Sequence, residues 1–101
     1  MPVMEISVVP VGTKTASISK HVAAAVRVLK KRRLKFELTP MCTVVEGELD
    51  ELFAAAKEMH ETVFRDSGGS VARVLTTIKI DDRKDKSLSM KSKLDSLKKK
   101  L

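Results

Sequence analysis

The sequence predicts an α+β sandwich, with one antiparallel sheet covered on a single face by helices. Three observations carry that reading. Short segments alternate apolar and polar residues with the period of a half-buried strand. Longer segments space their apolar residues as an amphipathic helix does. The two kinds follow one another as β-α-β-β-α-β before a last helical segment. With 101 residues, 43% hydrophobic and 33% charged, the chain fits one globular domain and is too apolar for intrinsic disorder.

Met4, Ile6 and Val8 alternate with Glu5 and Ser7 as a first strand, which Pro10 and Gly12 end. Ser17 or Ser19 is placed to cap a helix whose apolar positions are Val22, Ala25, Val26 and Leu29. The run Lys30 to Arg33 closes it, where cations favour the negative end of the helix dipole. Phe36 and Leu38 alternate with Glu37 and Thr39 before Pro40, and Cys42 to Val45 runs as a third strand up to Gly47. A tight connection around Pro40 and Met41 joins these two strands.

Glu48, Asp50 and Glu51 form the acidic first turn of a second helix, whose apolar stripe is Leu52, Phe53, Ala56, Met59, His60 and Val63. Asp66 to Ser70, with Gly68 and Gly69, is a loop. Val71 to Ile80 reads as the fourth strand, ended by Asp81, Asp82 and Arg83. Ser87 is positioned to cap a C-terminal helix with Met90, Leu94, Leu97 and Leu101 on one side. This order is the ferredoxin-like pattern. Residues 1–83 are expected to form the ferredoxin-like domain, and residues 84–101 a basic amphipathic helix packed on it or on a neighbouring subunit. Parity sends Met4, Ile6, Val8, Phe36, Leu38, Val74, Ile78 and Ile80 toward the helices. Glu5, Ser7, Val9, Glu37, Thr39, Arg73, Leu75, Thr77 and Lys79 then line an open face that is solvated, binds a ligand or packs on another subunit.

The net charge of +7 is uneven: from Arg83 onward eight Lys and Arg meet only Asp85 and Asp95, a net of +6. A solvated helix face explains that excess better than a polyanion-tracking surface does. A single cysteine, Cys42, excludes an internal disulfide and a multi-cysteine zinc site. No apolar run reaches the length of a membrane span, and the start lacks a basic leader, so a cytoplasmic protein is expected. His21 and His60 have no partner at metal-ligand spacing, so no metal is expected. Cys42, Ser7, Ser17 and Ser19 lack an identifiable base, so no catalytic residue and no enzyme activity are expected. RNA readout by the sheet is not expected either, because Phe36, Phe53 and Phe64 all fall away from the open face and there is no Tyr or Trp.

What remains is a set of polar groups on or beside the open face, Glu5, Ser7, Thr39, Thr43 and Glu46. They suit hydrogen bonding to a small amine-bearing heterocycle, or equally a plain solvated face. Four blocks carry a family likeness: Glu5 to Thr13 (EISVVPVGT), Ser17 to Val22 (SISKHV), Leu38 to Gly47 (LTPMCTVVEG) and Arg73 to Arg83 (RVLTTIKIDDR). Together they resemble the thiamine-binding YkoF-like family from about Met4 to Arg83. The resemblance implies a ferredoxin-like protomer that forms a homodimer or homotetramer through its sheets. It also implies non-catalytic binding of thiamine or its hydroxymethylpyrimidine moiety. No other cofactor is implied. By motif position its candidate ligand-binding residues are Glu5, Ser7, Thr39, Met41, Thr43 and Glu46. A carboxylate among them would balance the thiazolium, hydroxyls would orient the ring, and Met41 would give a polarisable contact. Two other readings stay open: an assembly protein whose open face serves only oligomerisation, and an amino-acid-sensing module of the ACT type, which shares the element order.

Overall fold

Met4, Ile6 and Val8 are buried while Glu5 and Val9 are exposed, so β1 (Val3–Pro10) keeps the period-two alternation from Met4 onward. The computed structural model describes residues 1–101, and β1 is followed by α1 (Ser19–Lys31), β2 (Lys35–Leu38), β3 (Thr43–Glu46), α2 (Leu49–Asp66), β4 (Val74–Asp81) and α3 (Met90–Lys98). The strands lie in the order β2-β3-β1-β4, every neighbouring pair antiparallel. This is the expected ferredoxin-like βαββαβ sandwich with an additional helix.

The register sorts the faces. Met4 pairs with Val45 and Ile80, and Ile6 with Thr43 and Ile78, so these side chains meet α1 and α2. Leu29 from α1 and Leu52, Met59 and Val63 from α2 complete the core. Glu5, opposite Val44 and Lys79, points to the other face. Leu38 and Ile78 also take the helix side by parity, yet both are exposed, because they lie toward the rims of the sheet on its two outer strands. Phe53 is likewise exposed despite its place in the expected stripe of α2.

α1 ends in a left-handed cap made by an arginine. The N–H of Arg33 donates to the carbonyl of Lys30 at 3.1 Å and that of Leu34 to the carbonyl of Leu29 at 3.1 Å, with Arg33 at a φ of 58°. The chain then turns directly into β2. Gly47 marks a close approach, since a Cβ there would sit 3.1 Å from the Leu34 side chain.

Three expected boundaries move. Ile18, not a serine, occupies the N-cap of α1, with no side-chain cap. β4 starts at Val74, opposite the last residue of β1, and Val71 is instead buried in the loop before it. Ser89 rather than Ser87 caps α3, because only Ser89 has Ser92 three residues on. Ser89 accepts from the Ser92 N–H, and the Ser92 hydroxyl accepts from the Ser89 N–H, both at 3.0 Å.

α3 is held by its first turn. Met90 is buried, and its N–H donates to Glu46 Oε1 at 3.3 Å. The N-terminal ammonium donates to the Leu88 carbonyl at 3.0 Å, and Lys93 pairs with Asp81. Val3, Glu46 and Asp81 are register partners on the open face, so α3 begins over that face and shields Val3. Beyond it, Leu94, Leu97 and Leu101 are exposed, with Leu97 at 56%.

Candidate functional site

β3 is half the length of β1, and the difference opens a site. The β1–β3 ladder stops at Ile6 opposite Thr43, whereas β1–β4 pairing continues to Pro10 opposite Val74. The Gly47 N–H donates to the Pro2 carbonyl and the Val11 N–H to the Arg73 carbonyl. In an antiparallel ladder these bonds alternate, so even-numbered residues of β1 face β3 and odd-numbered ones face β4. The N–H and C=O of Val8 therefore point past the end of β3, where no strand lies opposite. Pro10, the next residue with this orientation, has no N–H to offer. The turn between β2 and β3 peels away there and α1 forms the other wall, leaving a cavity of about 610 Å3.

Of the sequence-derived candidates, Ser7, Thr39, Met41 and Thr43 line this cavity. Ser7 is half-buried on β1 beside Val8. Thr43 is buried; the register turns it toward the helices rather than the open face, since it pairs with Ile6. Met41 stands 86% exposed at the mouth. Thr39 lies just beyond β2 and directs its hydroxyl into its own turn rather than onto the sheet face. Its Oγ1 donates to the Cys42 carbonyl at 2.9 Å and accepts from the N–H groups of Cys42 and Met41 at 3.1 and 3.3 Å. The hydroxyl thus shapes the turn and presents Met41.

The two carboxylates lie elsewhere. Glu5 faces the open side in a second hollow of about 340 Å3 with Lys79, Asp81 and Lys93, and its Oε2 is 3.6 Å from Lys79 Nζ. Glu46 sits at the far end of β3 from Thr43, roughly 10 Å along the strand, engaged with Met90 and 3.7 Å from Lys35 Nζ. The five polar residues expected on or beside one face, and the Met41 that the resemblance adds, are therefore divided between three places. His60 hydrogen-bonds Thr76 at 2.6 Å and packs edge-on against Phe64, the satisfied packing residue that its position in α2 suggests. No three His, Cys, Asp or Glu side chains are grouped to hold a metal ion, and no helix is long and apolar enough to cross a membrane.

The chain matches the thiamine-binding protein family over residues 4–98. It belongs to that family. Among its relatives, the YqgV protein of Bacillus subtilis is 39% identical over all of this chain and 98% of its own length. The MJ1052 protein of Methanocaldococcus jannaschii is 47% identical, covering 94% of this chain and 90% of its own. A crystal structure of MJ1052 superposes with a TM-score of 0.87 over 96% of this chain and 95% of that one. A Thermotoga maritima protein, TM0486, provisionally assigned to thiamine biosynthesis or salvage, has the same fold at 22% identity, with a TM-score of 0.78 over 95% of this chain and 97% of its own.

In this member of the thiamine-binding family, the cavity offers a strand-like hydrogen-bonding edge, the hydroxyl-bearing residues Ser7, Ser19, Thr39 and Thr43, and apolar walls from Val22, Val26 and Met41. That is the composition of a small-molecule site: mostly apolar, with a few convergent polar groups. Residue-type reasoning missed the Val8 edge because it is backbone. The signal was nevertheless present, since Pro40 and Gly47 confine β3 to a few residues while β1 runs freely to Pro10.

Proposed function

We propose that this protein binds thiamine, or its aminopyrimidine moiety, in the cavity between α1 and the β2–β3 turn, and catalyses no reaction on it. The unpaired N–H and C=O of Val8 carry this reading. An aminopyrimidine places an amine donor beside a ring-nitrogen acceptor, which is the pair that the absent strand would have supplied. Ser7 on the open-face side and Thr43 on the helix side stand at that edge, and Met41 lies where a polarisable thioether can cover the ring. The family's description as thiamine-binding supports the same ligand. Isothermal titration with thiamine and with hydroxymethylpyrimidine tests it, one site per chain being expected. No heat and no thermal shift with either would overturn it.

The protein also assembles, on this reading, with a second copy over the open face. Val9 and Leu75 are register partners exposed there, and α3 leaves Leu94 and Leu97 uncovered beyond the same face. Glu5, Glu37, Lys79 and Arg73 mix both signs on that side, which suits a face meeting its own copy. A dimer, and a tetramer built from dimers, follows as the working state. Native mass spectrometry reads this state directly.

A further inference from the structure

We propose that the cavity takes the phosphorylated form of its ligand, a phosphate ester held by Arg27 and Lys30 of α1. This rests on the cavity being the aminopyrimidine site. Of its 19 lining residues none is acidic, and Arg27 and Lys30 are the charged ones. They stand three apart on α1 and so share one helix face, their side chains neighbours at the cavity wall.

Three of the basic residues that follow them are paired, whereas Arg33 is not. Glu58 pairs with both Arg32, at 2.7 Å, and Lys31, at 3.7 Å, and Lys35 pairs with Glu46 at 3.7 Å. Arg27 and Lys30 take part in none of the ion pairs of the chain, and their side chains donate no hydrogen bond within it. Two exposed cations without a counter-ion, adjacent at the wall of an otherwise apolar cavity, favour an anion in that cavity. Unphosphorylated thiamine is itself a cation and finds no carboxylate there. A phosphate monoester reverses the sign of the interaction, and its oxygens accept from a guanidinium fork and an ammonium together. With the ring on the Val8 edge, the ester end would reach α1, and 610 Å3 accommodates a ligand of that size.

The test is titration of the full-length protein with hydroxymethylpyrimidine, thiamine, their monophosphates and inorganic phosphate, in low salt and in 0.5 M salt. Each monophosphate should bind at least tenfold more tightly than its parent, and that advantage should shrink in high salt. In the double variant Arg27→Gln, Lys30→Gln the advantage should fall below threefold. A parent that binds as tightly as its phosphate overturns the phosphate assignment and leaves the aminopyrimidine site standing. An advantage that survives in the double variant overturns the role of these two residues. Inorganic phosphate binding while no pyrimidine binds overturns both the composite ligand and the proposed function. Silence with every ligand does the same.

Discussion

Glu46 Oε1 accepts the backbone N–H of Met90 across 44 residues of sequence, and this bond fastens α3 to the end of β3. The carboxylate is mostly shielded and also faces Lys35 Nζ at 3.7 Å. It compensates one of the free N–H groups at the start of α3, where negative charge is favoured. Glu46→Ala should cost about 1–2 kcal/mol of stability, as loss of a charge-assisted hydrogen bond does. Hydrogen exchange should show the amides of α3 opening first, and thiamine affinity should stay within twofold. A large loss of affinity without loss of α3 protection would return Glu46 to the binding site.

The left-handed cap at Arg33 offers a stabilising change. A side chain at a φ of 58° is strained in a way that glycine is not. Replacing Arg33 by Gly should therefore gain about 0.5–1 kcal/mol, a rise of several degrees in Tm for a domain of this size. Arg33 makes no ion pair that would offset the gain. A lower Tm in thermal denaturation would contradict this account of the cap.

Glu58 gives the chain an acid-sensitive link between α1 and α2. The hydrogen bond from Arg32, at 2.7 Å, holds its carboxyl below the usual carboxylate range, and the charges of Arg32 and Lys31 add to that against partial burial. A carboxyl with a depressed native pKa binds fewer protons folded than unfolded, so its contribution is complete above the unfolded value and lost as pH falls through the folded one. Glu58→Gln should lower stability at pH 7, and the gap to the parent protein should close as pH drops below about 4. Urea melts at pH 7 and pH 3 compare the two. An equal gap at both values would refute the linkage.

How much of this was readable from the chain differs between elements. β1 declared itself because beyond Val3 it is buried mainly on one face, so Met4, Ile6 and Val8 alternate with less buried neighbours. The order of elements and the face of Glu5 follow from such local patterns. Thr39 and Thr43 did not follow. The turn takes the Thr39 hydroxyl for its own amides, and the register seats Thr43 against Ile6, so neither reaches the open face. Where a backbone edge ends unpaired shows only indirectly, in the Pro40 and Gly47 that confine β3, which is how Val8 escaped a reading based on residue types.

If the cavity is the ligand site, its hydroxyls separate from the open-face carboxylate. Removing the hydroxyl of Thr43 by Thr43→Val, or that of Ser7 by Ser7→Ala, should weaken thiamine-type binding by about three- to tenfold, the worth of one hydrogen bond of about 1 kcal/mol. Glu5→Gln should change it by less than twofold, because Glu5 lies outside the cavity and pairs with Lys79. Titration of the three variants ranks them. A tenfold loss from Glu5→Gln with intact Thr43→Val would relocate the ligand to the open face.

Assembly through that open face makes its own prediction, free of folding effects. Leu75 is 59% exposed in the single chain, and Leu94 and Leu97 are also exposed, so charging them costs the isolated fold little. In an oligomer the same positions enter an interface whose core excludes unpaired charge. Leu75→Lys and the double variant Leu94→Lys, Leu97→Lys should therefore shift the sedimentation of the protein toward monomer at tens of micromolar. Far-ultraviolet circular dichroism should remain unchanged. Deleting residues 87–101 is the harsher version, because it also uncovers Val3 by removing Met90, and it should lower Tm as well as association. The unaltered protein sedimenting as a monomer at that concentration would sink the assembly reading. Variants that stay fully associated would place the interface elsewhere on the surface.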